Sequence, residues 1–287
     1  MQKSVKGISG YFFSLPVLAV LIVLTIYPTL YVIYMCFNEW DPTSRAVDFV
    51  GLRNFQILLA SDQLPIVFRN TVTFASLAVV LEFVLGLGLA LFFDRPMRGK
   101  SLIRTCLILP MATVPLVVTL IWRLILNPDF GILSQFLNIF GVGPINWLSW
   151  PNLALFTCVL VDVWQNTPFI FLILYAGLQS VPVEPYEAAV VDGASRVAIF
   201  RSITIPMLRP AITVAVLFRA VDAFRVFDLI FGLTYGGPGI TTSTMSFRAY
   251  QLGWSYLQFG QSSVLTLIIM VIAMAISQVY LRLQREE

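Results

Sequence analysis

Asp162, Gln165, Asn166 and Phe169 are the side chains best placed to recognise a solute. They fall at i, i+3, i+4 and i+7, which is one stripe of an α-helix. A carboxylate and two amides exchange hydrogen bonds with hydroxyl groups. A phenyl ring covers an apolar face. Together they suit a neutral, polyhydroxylated solute such as a sugar. Pro168 lies inside the stripe and removes a backbone donor, a device transporters use at substrate sites. Hydrogen bonding to a neighbouring helix accounts for the same stripe, and both readings stand at this level.

A second group is Arg219, Asp222, Arg225 and Asp228, spaced in steps of three. Such neighbours on a helix pair when their signs alternate. Each step also turns about 60° around the axis, so Arg219 and Asp228 face opposite ways. The group is either a ladder of ion pairs or, in part, a lining with Arg219 and Asp222 beside the first stripe. Other chemistries are missing. There is no histidine, which removes imidazole acid–base work and most zinc and copper sites. Cys36, Cys106 and Cys158 lie far apart, with no CxxC, so neither a disulfide framework nor a metal site is expected. Gly99-Lys100-Ser101 imitates the end of a phosphate loop, but the glycine required five residues earlier is Asp94. An acid–base pair made of Asp162 and Asp222 would be the basis of a membrane enzyme.

The elements that must position these residues follow from composition. The chain has 287 residues, 58% hydrophobic and only 11% charged, with a mean hydropathy of +0.86. A soluble domain carries roughly 25% charged residues, so most of this surface must face lipid. A net charge of +3 gives no support for a nucleic-acid partner. Six apolar stretches reach or exceed the roughly 20 residues of a spanning helix, at 8–37, 70–93, 105–126, 152–178, 211–233 and 262–281. The expected fold is all-α and integral to the membrane, a single transmembrane domain over 1–287. Lys and Arg fall unevenly on the two sides. One side has Lys3, Lys6, Arg95, Arg98, Lys100, Arg104, Arg196, Arg201, Arg209, Arg282 and Arg285. The other has Arg45, Arg53, Arg69 and Arg248. The excess marks the cytoplasmic side and places both termini there. A charge at mid-bilayer costs about 2.5–3.5 kcal/mol, so Glu82, Asp162 and the 219–228 group must turn from lipid. Arg123 lies near a helix end and can reach water.

The long cytoplasmic connection, 179–210, has its own pattern. Pro185 suits a first helical turn, and Glu184 and Glu187 favour its positive end. Ala188, Ala189 and Val190 propagate the helix. Asp192 precedes Gly193, which fits the left-handed residue that ends it. Ser195 is placed to cap a second short helix that stops before Pro206.

Glu187-Ala188-Ala189, three residues, Gly193, nine residues and Ile203-Thr204-Ile205-Pro206 resemble the EAA loop of ABC-importer permeases. Ile205 replaces the usual leucine. Phe224-Arg225-Val226-Phe227-Asp228 and Leu233-Thr234-Tyr235-Gly236-Gly237-Pro238 resemble the sugar permeases of the maltose-uptake type, first-permease class. Asn70-Thr71 and Leu109-Pro110 are weaker matches. The resemblance implies six spans, with a coupling helix between the fourth and fifth that docks on a cytoplasmic ATPase. It assigns that role to Glu187, Ala188, Ala189, Asp192 and Gly193. It implies a second homologous permease, two ATPase subunits that hold ATP and Mg, and an extracytoplasmic substrate-binding protein. This chain itself would hold no cofactor or metal and do no covalent chemistry. By register from the loop, Asp162, Gln165, Asn166 and Phe169, with Arg219, Ala223 and Val226, match positions lining the family's sugar site. The implied setting is a prokaryotic inner membrane. The implied cargo is a disaccharide or oligosaccharide, with a polyol or glycerol phosphate as the alternative.

Overall fold

The computed structural model describes residues 8–285; Lys3 and Lys6, counted on the cytoplasmic side above, lie outside them. Helix α1 (Ile8–Leu21) passes through a π turn, Ile22–Ile26, into α2 (Tyr27–Cys36). A hairpin of β1 (Asn38–Trp40) and β2 (Val47–Phe49) follows, then α3 (Arg53–Leu59) and α4 (Gln63–Asp94). Next come α5 (Lys100–Ala112), α6 (Pro115–Ile125), α7 (Ile132–Ile139) and α8 (Pro151–Ser180). The rest comprises α9 (Glu184–Val191), α10 (Arg196–Ile199), α11 (Ile205–Phe224), α12 (Asp228–Leu233), α13 (Met245–Tyr250) and α14 (Phe259–Arg285). Two three-residue strands are the departure from an all-α chain.

Among the described residues, five helices, Leu15–Cys36, Gln63–Asp94, Pro151–Ser180, Arg196–Phe224 and Phe259–Val279, are long and apolar enough to cross a bilayer. The stretch 105–126, expected as one helix, is instead two: α5 and α6 meet at a 99° bend. The cause is local. Val114 precedes Pro115 and takes extended angles, φ −63° and ψ 127°, which the following ring favours. Pro115 then opens α6, where its missing N–H costs nothing. The stretch 211–233 is also broken. Helix α11 ends at Phe224, and Phe227 takes φ −132° and ψ −61° before α12 restarts. Here the carbonyl of Val226, lost to the helix, accepts from Thr244 Oγ1 at 3.1 Å. The expected helix stop before Pro206 is absent. A π turn, Phe200–Thr204, joins α10 to α11, and the Ile205 N–H reaches back to Phe200 O. Pro206 thereby lands in the first turn of α11, where it needs no donor.

The chain forms two compact units. The smaller one combines residues up to Ser61 with Arg248–Met270. In it, Asn54 Nδ2 donates to the carbonyls of Cys36 and Asn38 at 3.1 and 2.9 Å, tying α3 to the hairpin. Trp40 meets Phe259 edge-on at 5.1 Å. Asp41 turns the hairpin by accepting from Ser44 Oγ and Thr43 N, and these bonds hold its carboxyl below the usual range.

The larger unit holds the core: Ala90 and Phe93 of α4, Ile170, Phe171, Leu174 and Leu178 of α8, and Leu208 and Ala215 of α11. Small residues set the close approach, as expected where lipid gives no hydrophobic drive between helices. A Cβ at Gly86 would come within 2.8 Å of Ile170, and one at Gly177 within 2.8 Å of Ala211. The start of α4 is anchored in the same unit. Asn70 Nδ2 donates to the carbonyls of Ile240 and Ser243, and Thr71 Oγ1 accepts from the Met245 N–H.

Candidate functional site

Arg219 on α11 is 3% exposed, and its guanidinium meets three carboxyls. Glu82, fully buried on α4, accepts two parallel bonds from Nε and Nη2 at 2.6 and 2.8 Å. Asp162 on α8 accepts from Nη2 at 2.8 Å, and Asp222, one turn along α11, from Nη1 at 2.5 Å. One cation thus joins three helices. The bidentate fork to Glu82 is the geometry that planar guanidinium favours. The other Asp162 oxygen accepts from Asn166 Nδ2 at 2.9 Å. The Glu82 partnership joins residues 137 positions apart, so no local spacing could announce it. The only hint was a lone carboxylate in the middle of an apolar run.

Asp162, Gln165 and Asn166 line one cavity of about 160 Å³, together with Asp222, Ala223 and Val226. Pro115, at the α5–α6 bend, and Arg225, Phe227, Asp228 and Leu229, at the α11–α12 break, close it. Gln165 Nε2 donates to the carbonyl of Thr113, freed by that bend, at 3.3 Å. Both helix breaks therefore meet the polar stripe of α8 at one place. Helix α8 itself continues past Pro168 without a stop. Phe169 does not line the cavity; it packs beside the apolar core. Arg225 and Asp228 are not rungs of a helical ladder, because they sit where the helix has ended and restarted. Asp222 and Arg225 are exposed, whereas Arg219 lies behind them.

The connection after α8 is the second candidate. Pro185 and both glutamates occupy the first turn of α9. Gly193 has φ +74°, the left-handed residue after the helix. Ser195 Oγ accepts from the Ala198 N–H at 3.2 Å and caps α10. Glu187, Ala188, Asp192 and Gly193 are exposed and Ala189 half-buried. The apolar side chains of Val183, Val190, Val191 and Val197 are 60–86% exposed on this same connection. Such a surface is usually covered by a partner.

Residues 82–285 match the profile of the family described as binding-protein-dependent transport system inner membrane component. The chain is 37% identical over 279 residues to the trehalose/maltose transport system permease protein MalF of Thermococcus litoralis, covering 96% of this chain and 93% of that one. It is 31% identical over 289 residues to the sn-glycerol-3-phosphate transport system permease protein UgpA of Yersinia enterocolitica, covering 98% and 97%. Its fold matches a chain of a solved bacterial ABC transporter that imports the acidic polysaccharide alginate, with a TM-score of 0.84, 22% identity and coverage of 96% and 94%.

Proposed function

The chain belongs to the family of binding-protein-dependent transport system inner membrane components, and from that premise we propose that it carries a disaccharide or oligosaccharide into a prokaryotic cell as one permease subunit of an ABC importer. It is a multi-pass membrane protein and a transport subunit rather than an enzyme. The proposed topology has six spans, α5 and α6 together forming the third, with both termini and the 179–210 connection cytoplasmic. A second homologous permease completes the path. Two ATPase subunits, holding ATP and Mg, dock on α9 through Glu187, Ala188, Ala189, Asp192 and Gly193. An extracytoplasmic binding protein delivers the solute from outside. Closure of the ATPases moves the α9 connection and switches the path between its two openings. The exposed valines around α9 support this docking role.

The observation that carries the saccharide reading is the charge state of the cavity. Arg219, the deep cation, is already bound by Glu82, Asp162 and Asp222. Asp162, Gln165 and Asn166 remain beside the cavity with hydroxyl-binding groups, and Asp222 and Asp228 add carboxylates to it. That lining favours a neutral, hydroxyl-rich solute over an anion. The glycerol phosphate alternative has one support: Arg225, exposed, is the single cation among the lining residues. Competition in proteoliposomes holding the whole complex decides. Excess unlabelled maltose should suppress uptake of labelled maltose and glycerol 3-phosphate should not. Uptake of labelled glycerol 3-phosphate alone would overturn the saccharide reading.

A further inference from the structure

A second cavity, of about 330 Å³, lies at the opposite ends of the same two broken helices. Pro115 of α6 and Leu229 of α12 border the first cavity; Arg123 of α6 and Leu233 of α12 border the second. These helices pack tightly, with the bare Gly232 set against the Thr119 side chain. Helical rise separates Pro115 from Arg123 by about 12 Å. A single sugar ring cannot occupy both cavities, whereas an oligosaccharide is long enough to span that separation.

The lining chemistry repeats that of a saccharide site. Arg123, Asn127, Asn146, Ser149 and Thr234 offer a guanidinium, two amides and two hydroxyls, and Trp147 supplies a large aromatic plane. Trp147 is held in place by its own carbonyl, which accepts from Thr157 Oγ1 of α8 at 3.2 Å. Its indole N–H is buried and has no acceptor among the described residues. A buried donor without a partner is costly, and a small shift of the indole on binding would give it an acceptor from the solute. Arg123 makes no ion pair among the described residues and is exposed. Thr234, Gly237 and Pro238, the threonine-to-proline part of the second sequence motif, form another wall.

We propose that this cavity is a second saccharide subsite, which holds the trailing rings of an oligosaccharide while its leading end is engaged at Asp162 and Asn166. The proposal rests on the saccharide reading above and adds chain-length selectivity to it. The test uses the full complex in proteoliposomes, with labelled maltose, maltotriose and maltotetraose as probes. Trp147→Phe keeps a smaller aromatic face and removes the donor; Arg123→Gln alters an exposed side chain with little risk to folding. Each should lower the maltotriose-to-maltose ratio of kcat/KM by about 3- to 10-fold, the effect of one hydrogen-bond partner. An equal loss for all three probes, or none, would overturn the subsite and leave the saccharide reading standing. A wild-type complex that moves none of the three would remove both together.

Discussion

Glu82→Ala should damage this protein far more than Asp222→Ala, although both remove a carboxylate from Arg219. The reason lies in burial. Glu82 is 0% exposed and holds the guanidinium by two bonds, whereas the Asp222 side chain is 75% exposed. Removing one member of a buried pair costs about 3–5 kcal/mol when the other charge is left without compensation; Asp162 still faces Arg219 here, so the loss falls at the low end, about 3 kcal/mol. An exposed pair is worth about 0–1 kcal/mol. Arg219 keeps Asp162 in both variants, so the difference between them isolates burial and fork geometry. Thermal unfolding of the purified subunit in nanodiscs measures it. The triple variant Glu82→Leu, Arg219→Met and Asp162→Asn should recover part of the loss, since a buried charge cluster replaced as a whole by neutral groups is often neutral. Asp222→Ala as destabilising as Glu82→Ala would refute the reasoning.

Two further outcomes follow from close approach and from backbone angle. Gly232→Ala should cost about 1–3 kcal/mol by overpacking against Thr119, and Thr119→Ala should relieve it; a thermal double-mutant cycle reads the coupling. Gly193→Val should cost about 1–2 kcal/mol at φ +74° and lower uptake per ATP hydrolysed, while Ser195→Ala, losing a cap worth about 1 kcal/mol, should have a milder effect.

The parts of the fold visible in the sequence were those written in local periodicity. The i, i+3, i+4 spacing put Asp162, Gln165 and Asn166 on one face of α8, where one cavity now touches all three. Phe169 is not among the residues that line this cavity. It shares the face by angle, but lies about 10 Å along the axis from Asp162, beyond the cavity. The pattern around α9 was equally local: Pro185 in the first turn, Gly193 at positive φ and Ser195 as a cap. What the sequence hid were contacts distant along the chain and breaks inside apolar runs. Steps of three suggested that Arg219 and Asp222 pair, which they do, but not that Glu82 is the buried partner. Arg225 and Asp228 looked like further rungs because hydropathy does not register a change of backbone direction. The α5–α6 bend did leave a signal. A proline after Val114 restricts that residue to extended angles, and an apolar run cannot override it.

Accumulation of labelled maltose inside proteoliposomes tests the central claim, that this chain carries saccharide only as the path of an ATP-driven complex. The vesicles contain this subunit, its partner permease and the ATPases, with the binding protein outside and ATP within. Sugar should accumulate above its external concentration, and the accumulation should vanish when the ATPases are omitted or made unable to hydrolyse ATP. Undiminished uptake without a working ATPase would contradict the account.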